Sequence, residues 1–223
     1  MQSFRCFDIL GPRMTGPSSS HTAGAARLAH VAWQLSGRDV AAVALTLYGS
    51  FAKTGRGHGT DKALLAGVLG LNPDDERLRY SYLLAQEAGL SYSFSFEEES
   101  PDDYANMARI VITGHDAHVT DVLGASIGGG NILITGINGM QVQITGEYPT
   151  LIISHNDTPG MIGRVTSFLA LYGYNIAGMR VYRDGRGLKA YMALEMDSAI
   201  DASLLEALSH MENVNRLCMV DKV

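Results

Sequence analysis

Cysteine is scarce in this sequence, and that scarcity limits the metal chemistry open to the chain alone. Its two cysteines, Cys6 and Cys218, lie near opposite ends of the 223 residues and share no C-x-x-C spacing. Cysteine-ligated zinc and iron–sulfur sites usually take three or four thiolates. We therefore expect no metal on this chain, and we expect both cysteines to be buried apolar thiols rather than reactive nucleophiles.

Positive charge and long apolar runs are also scarce. The 17 Lys and Arg against 23 Asp and Glu give a formal net charge of -6, and no Lys/Arg-rich run occurs. Affinity for nucleic acid depends on clustered cations, so we expect no nucleic-acid partner. No window approaches about 18 uninterrupted apolar residues, and residues 1–5 lack a basic region followed by an apolar stretch. We expect a cytoplasmic protein with no membrane partner.

Residue periodicity predicts an α+β first domain over residues 1–146. Ala and Leu recur at helical spacing in residues 22–36, with Ser20 or His21 near the N-cap. A buried strand is expected at residues 40–48, then a glycine-rich loop and a second helix from Thr60 to about Gly70. Alternating patterns beyond that helix predict an antiparallel sheet, with strands at residues 91–96, 109–113, 119–124, 132–137 and 140–144.

The run Gly128-Gly129-Gly130 interrupts that predicted sheet. It favours a turn or bulge, because glycine adopts turn conformations readily. The alternative is an anion site formed by successive free N–H groups.

A second domain is predicted over residues 147–223. Its elements are strand 150–155, a helix from about Asp157 to Tyr172, strands 175–183 and 188–196, helix 202–211 and strand 214–220. This is the β-α-β-β-α-β order of a ferredoxin-like fold.

Residues 152–163, IISHNDTPGMIG, followed by Tyr174-Asn175-Ile176, resemble the ACT domain, a regulatory fold that binds amino acids. The resemblance implies a ligand loop made of His155, Asn156, Asp157, Gly160, Met161, Ile162, Asn175 and Ile176. A helix N-terminus can receive a carboxylate, and acceptors such as Asp157 and Asn175 can receive an ammonium. Serine-binding members carry asparagine where Asp157 stands, so ligand binding here is either lost or altered in preference. The plain alternative is a capping turn.

Two N-terminal motifs, GPSSSHT at residues 16–22 and TGRGHGTDK at residues 54–62, each gather hydroxyls, glycines and one histidine where a helix begins. This composition is typical of oxyanion recognition, because N–H groups and hydroxyls converge at the positive end of a helix. The candidate anion-binding residues are Ser18, Ser19, Ser20, Thr22, Gly59, Thr60 and Asp61. The spacing fits neither a nucleotide loop nor a hydrolase triad.

Together the two motifs, with Ser126-Ile127-Gly128-Gly129-Gly130-Asn131 and the ACT segment, resemble the β subunit of bacterial iron–sulfur-dependent L-serine dehydratase. The first domain then corresponds to its allosteric substrate-binding domain. The resemblance implies a [4Fe-4S] cluster held by cysteines of a separate α subunit, and conversion of L-serine to pyruvate and ammonia. His58 or His21 would be the base, since imidazole titrates near working pH, and the serine hydroxyls would hold the carboxylate.

Other readings of these motifs remain open. Both loops could bind an effector or only pack against a neighbouring chain. The whole protein could instead be a stand-alone amino-acid sensor. ACT modules usually pair through their sheets, so we expect a homodimer when the chain is isolated. His115 and His118 are poor metal ligands, because a spacing of three on a strand points them to opposite faces.

Overall fold

The computed structural model describes residues 13–223. The chain divides into two compact units, Met1–Gly139 and Met140–Val223. The domain boundary expected after residue 146 stays a prediction.

Helices dominate the first half of unit 1. A short π helix, Ser19–Gly24, which we call the π turn, continues into α1, Ala25–Leu35, because Gly24 and Ala25 both keep helical dihedral angles. The helices that follow are α2 (Gly49–His58), α3 (Thr60–Val68), a 3₁₀ helix (Glu76–Tyr80) and α4 (Ser81–Glu87).

Helix α2 shows that the predicted glycine-rich loop at residues 55–59 is wrong. Phe51 and Gly55 are buried on one face of α2, and the chain leaves the helix only at Gly59, which has a left-handed φ of 69°. A Cβ on Gly55 would lie 3.1 Å from the Cβ of Thr60, so glycine lets α2 and α3 approach closely. This packing outweighs the helix cost of a glycine, about 1 kcal/mol.

Five strands of unit 1 form one sheet in the order β2-β1-β3-β4-β5. They are β1 (Ala42–Tyr48), β2 (Ser91–Glu97), β3 (Asn106–Thr113), β4 (Val119–Gly128) and β5 (Asn131–Ile137). Strand β1 pairs antiparallel with β3 but parallel with β2, so the expectation of a wholly antiparallel sheet is wrong at β2. Parallel neighbours need a long crossover, and α2 to α4 supply it.

Helices α1 and α3 pack through small residues. A Cβ on Gly67 would lie 2.3 Å from the backbone oxygen of Ala26 and 2.7 Å from the Cβ of Ala29. Neighbouring Leu28, Leu64 and Leu65 are fully buried, and each such leucine contributes roughly 1.5–3 kcal/mol. The pair fixes α1, and hence the π turn at its N-terminus.

Unit 2 confirms the predicted β-α-β-β-α-β order. After β6 (Met140–Ile144) come β7 (Thr150–Asn156), α5 (Met161–Leu171), β8 (Ile176–Arg183), β9 (Lys189–Met196), α6 (Ala202–Ser209) and β10 (Val214–Val220). The last four strands form an antiparallel sheet, β10-β7-β9-β8. Its core includes Leu151, Val165, Leu169 and Leu194. The α+β fold class is therefore confirmed.

Two expectations concern the cysteines and the membrane. Burial raises the pKa of the Cys218 thiol to about 12, which makes it a poor nucleophile. Cys6 lies outside the described residues. Within residues 13–223 no helix combines the length and the apolar character that crossing a bilayer requires.

Candidate active site and ligand loop

The structure brings the two N-terminal motifs together in unit 1. Thr22 in the π turn donates a hydrogen bond from Oγ1 to the backbone oxygen of His58 at 3.0 Å. The rings of His21 and His58 lie with their centroids 4.8 Å apart. The N-cap is Ser18, whose Oγ accepts from the His21 N–H at 3.1 Å, so the cap expected at Ser20 or His21 lies two or three residues too late.

His21 lies across the face of α2 formed by Ser50, Thr54 and His58, which are spaced by four and therefore share one side of the helix. Thr54 donates its one hydroxyl proton to the backbone oxygen of Ser50 at 2.9 Å. Its oxygen can therefore only accept from His21 Nε2, 3.0 Å away. Ser50 Oγ lies 3.2 Å from the same nitrogen. These contacts fix the Nε2–H tautomer of His21 and leave the lone pair on Nδ1.

Burial lowers the pKa of His21, and the neighbouring charge of His58 lowers it further, while the backbone of Ser50 opposes the shift. Two imidazolium rings at this separation would repel each other. Burial and the charge of His58 therefore both favour the neutral form of His21.

His58 ends α2 and is held by its own helix. Its Nδ1 lies 3.0 Å from the backbone oxygen of Thr54, and a carbonyl oxygen can only accept, so Nδ1 carries the proton. The lone pair of a neutral His58 is thus on Nε2. A fixed tautomer with one basic nitrogen is the arrangement that a general base requires.

The remaining predicted anion-binding residues of unit 1 fall into two groups, which are the serines at the start of the π turn and the first two residues of α3. Ser18, Ser19 and Ser20 are partly exposed at the start of the π turn, next to the histidine pair. Thr60 is 0% exposed and its hydroxyl has no partner. Asp61 accepts from Tyr82 Oη at 2.6 Å and from the Lys62 N–H at 2.9 Å.

Asp61 therefore has a structural contact that sequence reasoning missed. Burial raises the pKa of Tyr82, and the hydrogen bond to Asp61 raises it further. The pair ties the start of α3 to α4, just after Gly59, and so supports the position of His58. Tyr82 lies 21 residues beyond Asp61 and carries no local motif.

A metal site was not found among residues 13–223, where no group of three or more His, Cys, Asp and Glu side chains is placed to hold an ion. His115 instead contacts Asp39, with Nδ1 at 2.5 Å from Oδ1. That contact lowers the pKa of Asp39, mainly through the side-chain hydrogen bond.

The ligand loop of unit 2 follows β7 and leads into α5. His155, the sixth residue of β7, is 1% exposed. Its Nδ1 lies 2.9 Å from the backbone oxygen of Asn156, so Nδ1 carries the proton, whereas Nε2 is buried with no partner. Thr158 also has a buried hydroxyl oxygen without a partner. The loop ends at Gly160, whose φ of 83° is left-handed, and Met161 and Ile162 begin the helix.

The other polar residues of this loop are already engaged. Asp157 Oδ2 lies 3.3 Å from Arg183 Nη1 and 3.3 Å from the Gly187 N–H. Asn175 donates from Nδ2 to Asp197 at 2.8 Å. The charge of Asp157 is therefore offset within the protein by Arg183.

Comparison with known proteins identifies the family. Residues 6–117 match the family model described as serine dehydratase beta chain, and residues 150–210 match the ACT domain. The probable L-serine dehydratase, beta chain, of Bacillus subtilis is 41% identical over 208 residues, or 93% of this chain and 94% of that protein. The L-serine dehydratase, beta chain, of Peptoniphilus asaccharolyticus is 37% identical over 212 residues, or 95% and 96%. The chain belongs to the serine dehydratase beta chain family.

Membership in the serine dehydratase beta chain family confirms the resemblance seen in the sequence. A D-3-phosphoglycerate dehydrogenase of Bacillus subtilis is 31% identical over 183 residues, which is 80% of this chain but 34% of that protein. The similar part is therefore about a third of that dehydrogenase.

The sequence motifs of this serine dehydratase beta chain identified the candidate site residues. They did not identify the residues that hydrogen-bond to them or offset their charge. Ser50 and Thr54 fix the tautomer of His21, and Arg183 offsets Asp157. Ser50 and Thr54 had a usable signal, since they stand eight and four residues before His58 and therefore share its helix face.

Proposed function

We propose that this chain is the β subunit of a two-component lyase that converts L-serine to pyruvate and ammonia. The observation that supports the proposal is the pairing of the His58 ring, whose tautomer is fixed, with the ring of His21, which directly follows the serine run 18–20 of the π turn. The names of the two beta-chain relatives support serine as the substrate.

In the proposed reaction, His58 Nε2 removes the proton from the substrate Cα and the bond from Cβ to the hydroxyl oxygen breaks. The imidazolium then returns that proton to the departing hydroxide, which leaves as water. The resulting enamine tautomerises to an imine, and water then releases ammonia from it. The hydrogen bond from Nδ1–H to the Thr54 oxygen orients the ring and stabilises the imidazolium that forms. General-base catalysis of this kind contributes roughly 10²–10⁴-fold.

His21 has a different proposed role. Its Nε2–H is committed to Thr54 and Ser50, and burial lowers its pKa, which favours the neutral ring. A neutral neighbour lets His58 accept a proton without facing a second positive ring. We therefore assign His58 as the base and His21 as a positioning residue.

The carboxylate of the substrate would lie at the start of the π turn. Ser19 and Ser20 are partly exposed there, and the first N–H groups of a helix have no partner within it. Ser18 already caps the turn through His21. Its neighbours are therefore the better candidates for holding the substrate.

The family implies an iron–sulfur cluster, and the described residues do not fit one. Cys218 is the cysteine among them, its thiol is buried, and no His, Cys, Asp and Glu cluster is placed to bind metal. We propose that a [4Fe-4S] cluster would be held by cysteines of an α subunit, and that it would provide a Lewis acid for the substrate hydroxyl when bound. The residues of this chain then supply the base and the carboxylate contacts.

Unit 2 is proposed to bind an amino acid as a regulatory ligand. His155 Nε2 is a buried acceptor with no partner, and His155 lies near the end of β7, just before the loop that leads into α5. An ammonium donating to Nε2, with the carboxylate at the first N–H groups of α5, would satisfy both ends of the ligand. L-serine is the first ligand to test, and the ACT match supports an amino acid in general.

The test of the lyase proposal is pyruvate formation by the complex assembled with its α subunit. We expect His58→Ala to lower kcat by at least 100-fold while the complex still forms. His115→Ala is the matched control, because His115 is an exposed histidine of the same unit that contacts Asp39, and its kcat should stay within twofold. Full turnover by His58→Ala in an assembled complex would exclude this histidine as the base.

The rival function is a stand-alone amino-acid sensor. Copurification separates the two, because the lyase requires an iron-bearing second subunit. A colourless homodimer that binds an amino acid, and that forms no pyruvate with any cysteine-bearing partner, would favour the sensor.

A further inference from the structure

Unit 1 contains a second set of unused polar groups, on the side of α1 that faces β4 and β5. Arg27 on α1 is half-buried, and within residues 13–223 its guanidinium makes one hydrogen bond, from Nη1 to the backbone oxygen of Gly130 at 2.9 Å. Its Nε is buried and has no partner. Burial lowers the pKa of Arg27, and no carboxylate of the described residues pairs with it. A guanidinium in this state lacks a counter-ion, which is energetically costly.

A buried hydroxyl lies on the same face of the helix. Ser126 on β4 is 3% exposed, and its Oγ has no partner. A Cβ on Gly24 would lie 2.1 Å from that oxygen, so the side chain of Ser126 lies directly against Gly24. Gly24 and Arg27 are three residues apart in a continuous helix and therefore share one face. Ser126 and Arg27 consequently offer donors on one side of α1.

The turn Gly128–Gly130 between β4 and β5 completes the cluster. Its three glycines have φ values of 102°, 62° and 82°. Added Cβ atoms would meet nothing within 4 Å at Gly128, and only Asn131 Nδ2 at 3.8 Å at Gly129. Glycine is therefore required by the backbone conformation and not by crowding, and space is open beside the turn. Successive N–H groups in such turns can bind anions.

We propose that Arg27, Ser126 and the turn Gly128–Gly130 form an anion site for the carboxylate of a small amino acid. Nη1 is engaged by Gly130, which leaves the Nε and Nη2 edge of the guanidinium for two parallel hydrogen bonds, the geometry that a carboxylate matches. A single positive charge also suits a monoanion better than a phosphate dianion. The carboxylate belongs either to the substrate of the proposed reaction, in which case this site holds it in place of Ser19 and Ser20, or to a separate effector.

This site goes beyond the proposed function, because binding to it requires this chain alone. The test is NMR of the full-length ¹⁵N-labelled chain at constant ionic strength, observing the Arg27 Nε–H and the amides of residues 128–130. L-serine is the probe, with L-serinamide and inorganic phosphate as comparisons. We expect saturable shifts of both sets of signals with L-serine and none with L-serinamide. Equal shifts with L-serinamide, or none with L-serine, would overturn the proposal.

Variants separate binding from a purely structural role. Arg27→Gln should weaken the L-serine affinity of this site about tenfold or more, and Arg27→Lys should weaken it less. Arg79→Gln, an exposed arginine whose Nε donates to the Glu76 backbone oxygen, should leave it unchanged. If Arg27→Gln lowers the stability of unit 1 but leaves the titration intact, Arg27 is structural and the site does not exist.

The assembled complex distinguishes the two sources of the carboxylate. A substrate site predicts that Arg27→Gln raises KM for L-serine about tenfold with kcat within twofold. An effector site predicts an unchanged KM and the loss of any activation by added L-serine. No change in either property, together with an intact L-serine titration in the variant, would contradict the proposal. These readouts differ from the loss of kcat expected for His58→Ala, so failure of one proposal is not mistaken for failure of the other.

Discussion

The histidine sites of the two units differ in the exposure of the rings that carry their basic nitrogens. In unit 1, His21 and His58 each give one N–H to an oxygen of α2, and their basic nitrogens belong to rings that are partly exposed. In unit 2, His155 gives its N–H to Asn156, but its basic Nε2 is buried and has no hydrogen-bond partner.

This difference suits the histidines of the two units to different tasks, proton transfer in unit 1 and ligand binding in unit 2. A base must exchange a proton with the substrate, so it needs an oriented ring that is reachable from outside. A binding group gains most when the unliganded protein leaves a polar atom unpaired, since the ligand then removes a penalty of about 1–3 kcal/mol. His58 fits the first description and His155 fits the second.

The comparison treats the two units as having separate cores. Gly67→Ala should therefore destabilise unit 1 and leave unit 2 unchanged. The added methyl group would meet the Ala26 backbone at 2.3 Å, and backbone atoms cannot move aside at little cost. We expect unit 1 to lose about 2–3 kcal/mol of unfolding free energy. The single tryptophan, Trp33 on α1, reports that unit by fluorescence in a urea titration.

The matched control for Gly67→Ala is Gly57→Ala. Gly57 lies on the exposed side of α2 with nothing within 4 Å of an added Cβ. It should raise the stability of unit 1 by about 0.5–1 kcal/mol. Unchanged fluorescence midpoints for Gly67→Ala would mean that α1 and α3 are not packed as described.

A smaller effect is expected from His155→Leu in unit 2. Leucine fills a similar volume and removes the unpaired Nε2, so the unfolding free energy should stay equal or rise. Amino-acid binding at the loop, followed through the amide signals of residues 160–162 with L-serine, should weaken about tenfold or more. His210→Leu, at the exposed end of α6, is the control and should bind normally. Normal L-serine binding by His155→Leu would remove His155 from the ligand site.

The sequence predicts unit 2 better than unit 1, for a physical reason. In unit 2, helix α5 buries one face and β7 is a continuous buried run, so helical periodicity, the apolar run and the turn residues mark these elements directly. Its loop also has a local signature, because Asp157 to Gly160 stand together in the sequence. What periodicity cannot reveal is Arg183, which reaches Asp157 from 26 residues away.

Helix α2 shows why unit 1 is harder to predict. Its three glycines predict a loop from local propensity, yet tertiary packing of Phe51 and Gly55 holds the segment helical as far as His58. Only that helix aligns Ser50 and Thr54 with His58. The parallel pairing of β2 with β1 depends likewise on a long crossover that alternation within β2 does not encode.

The smallest predicted effect concerns pH and tests whether the two rings of unit 1 interact. Burial and the His58 charge lower the pKa of His21 below its ordinary value of 6.5. The neutral ring therefore contributes stability that is complete above pH about 6.5 and is lost as the pH falls through the lowered pKa.

In ¹⁵N-detected histidine titrations, we expect His58→Gln to bring the pKa of His21 back toward 6.5 without restoring it fully, because burial remains. The unfolding free energy of unit 1, measured by Trp33 fluorescence, falls as the pH is lowered. This fall should be smaller in His21→Gln than in the parent chain. A His21 pKa that does not move when His58 is replaced would show that the rings are too far apart to act on each other, and that burial alone holds His21 neutral.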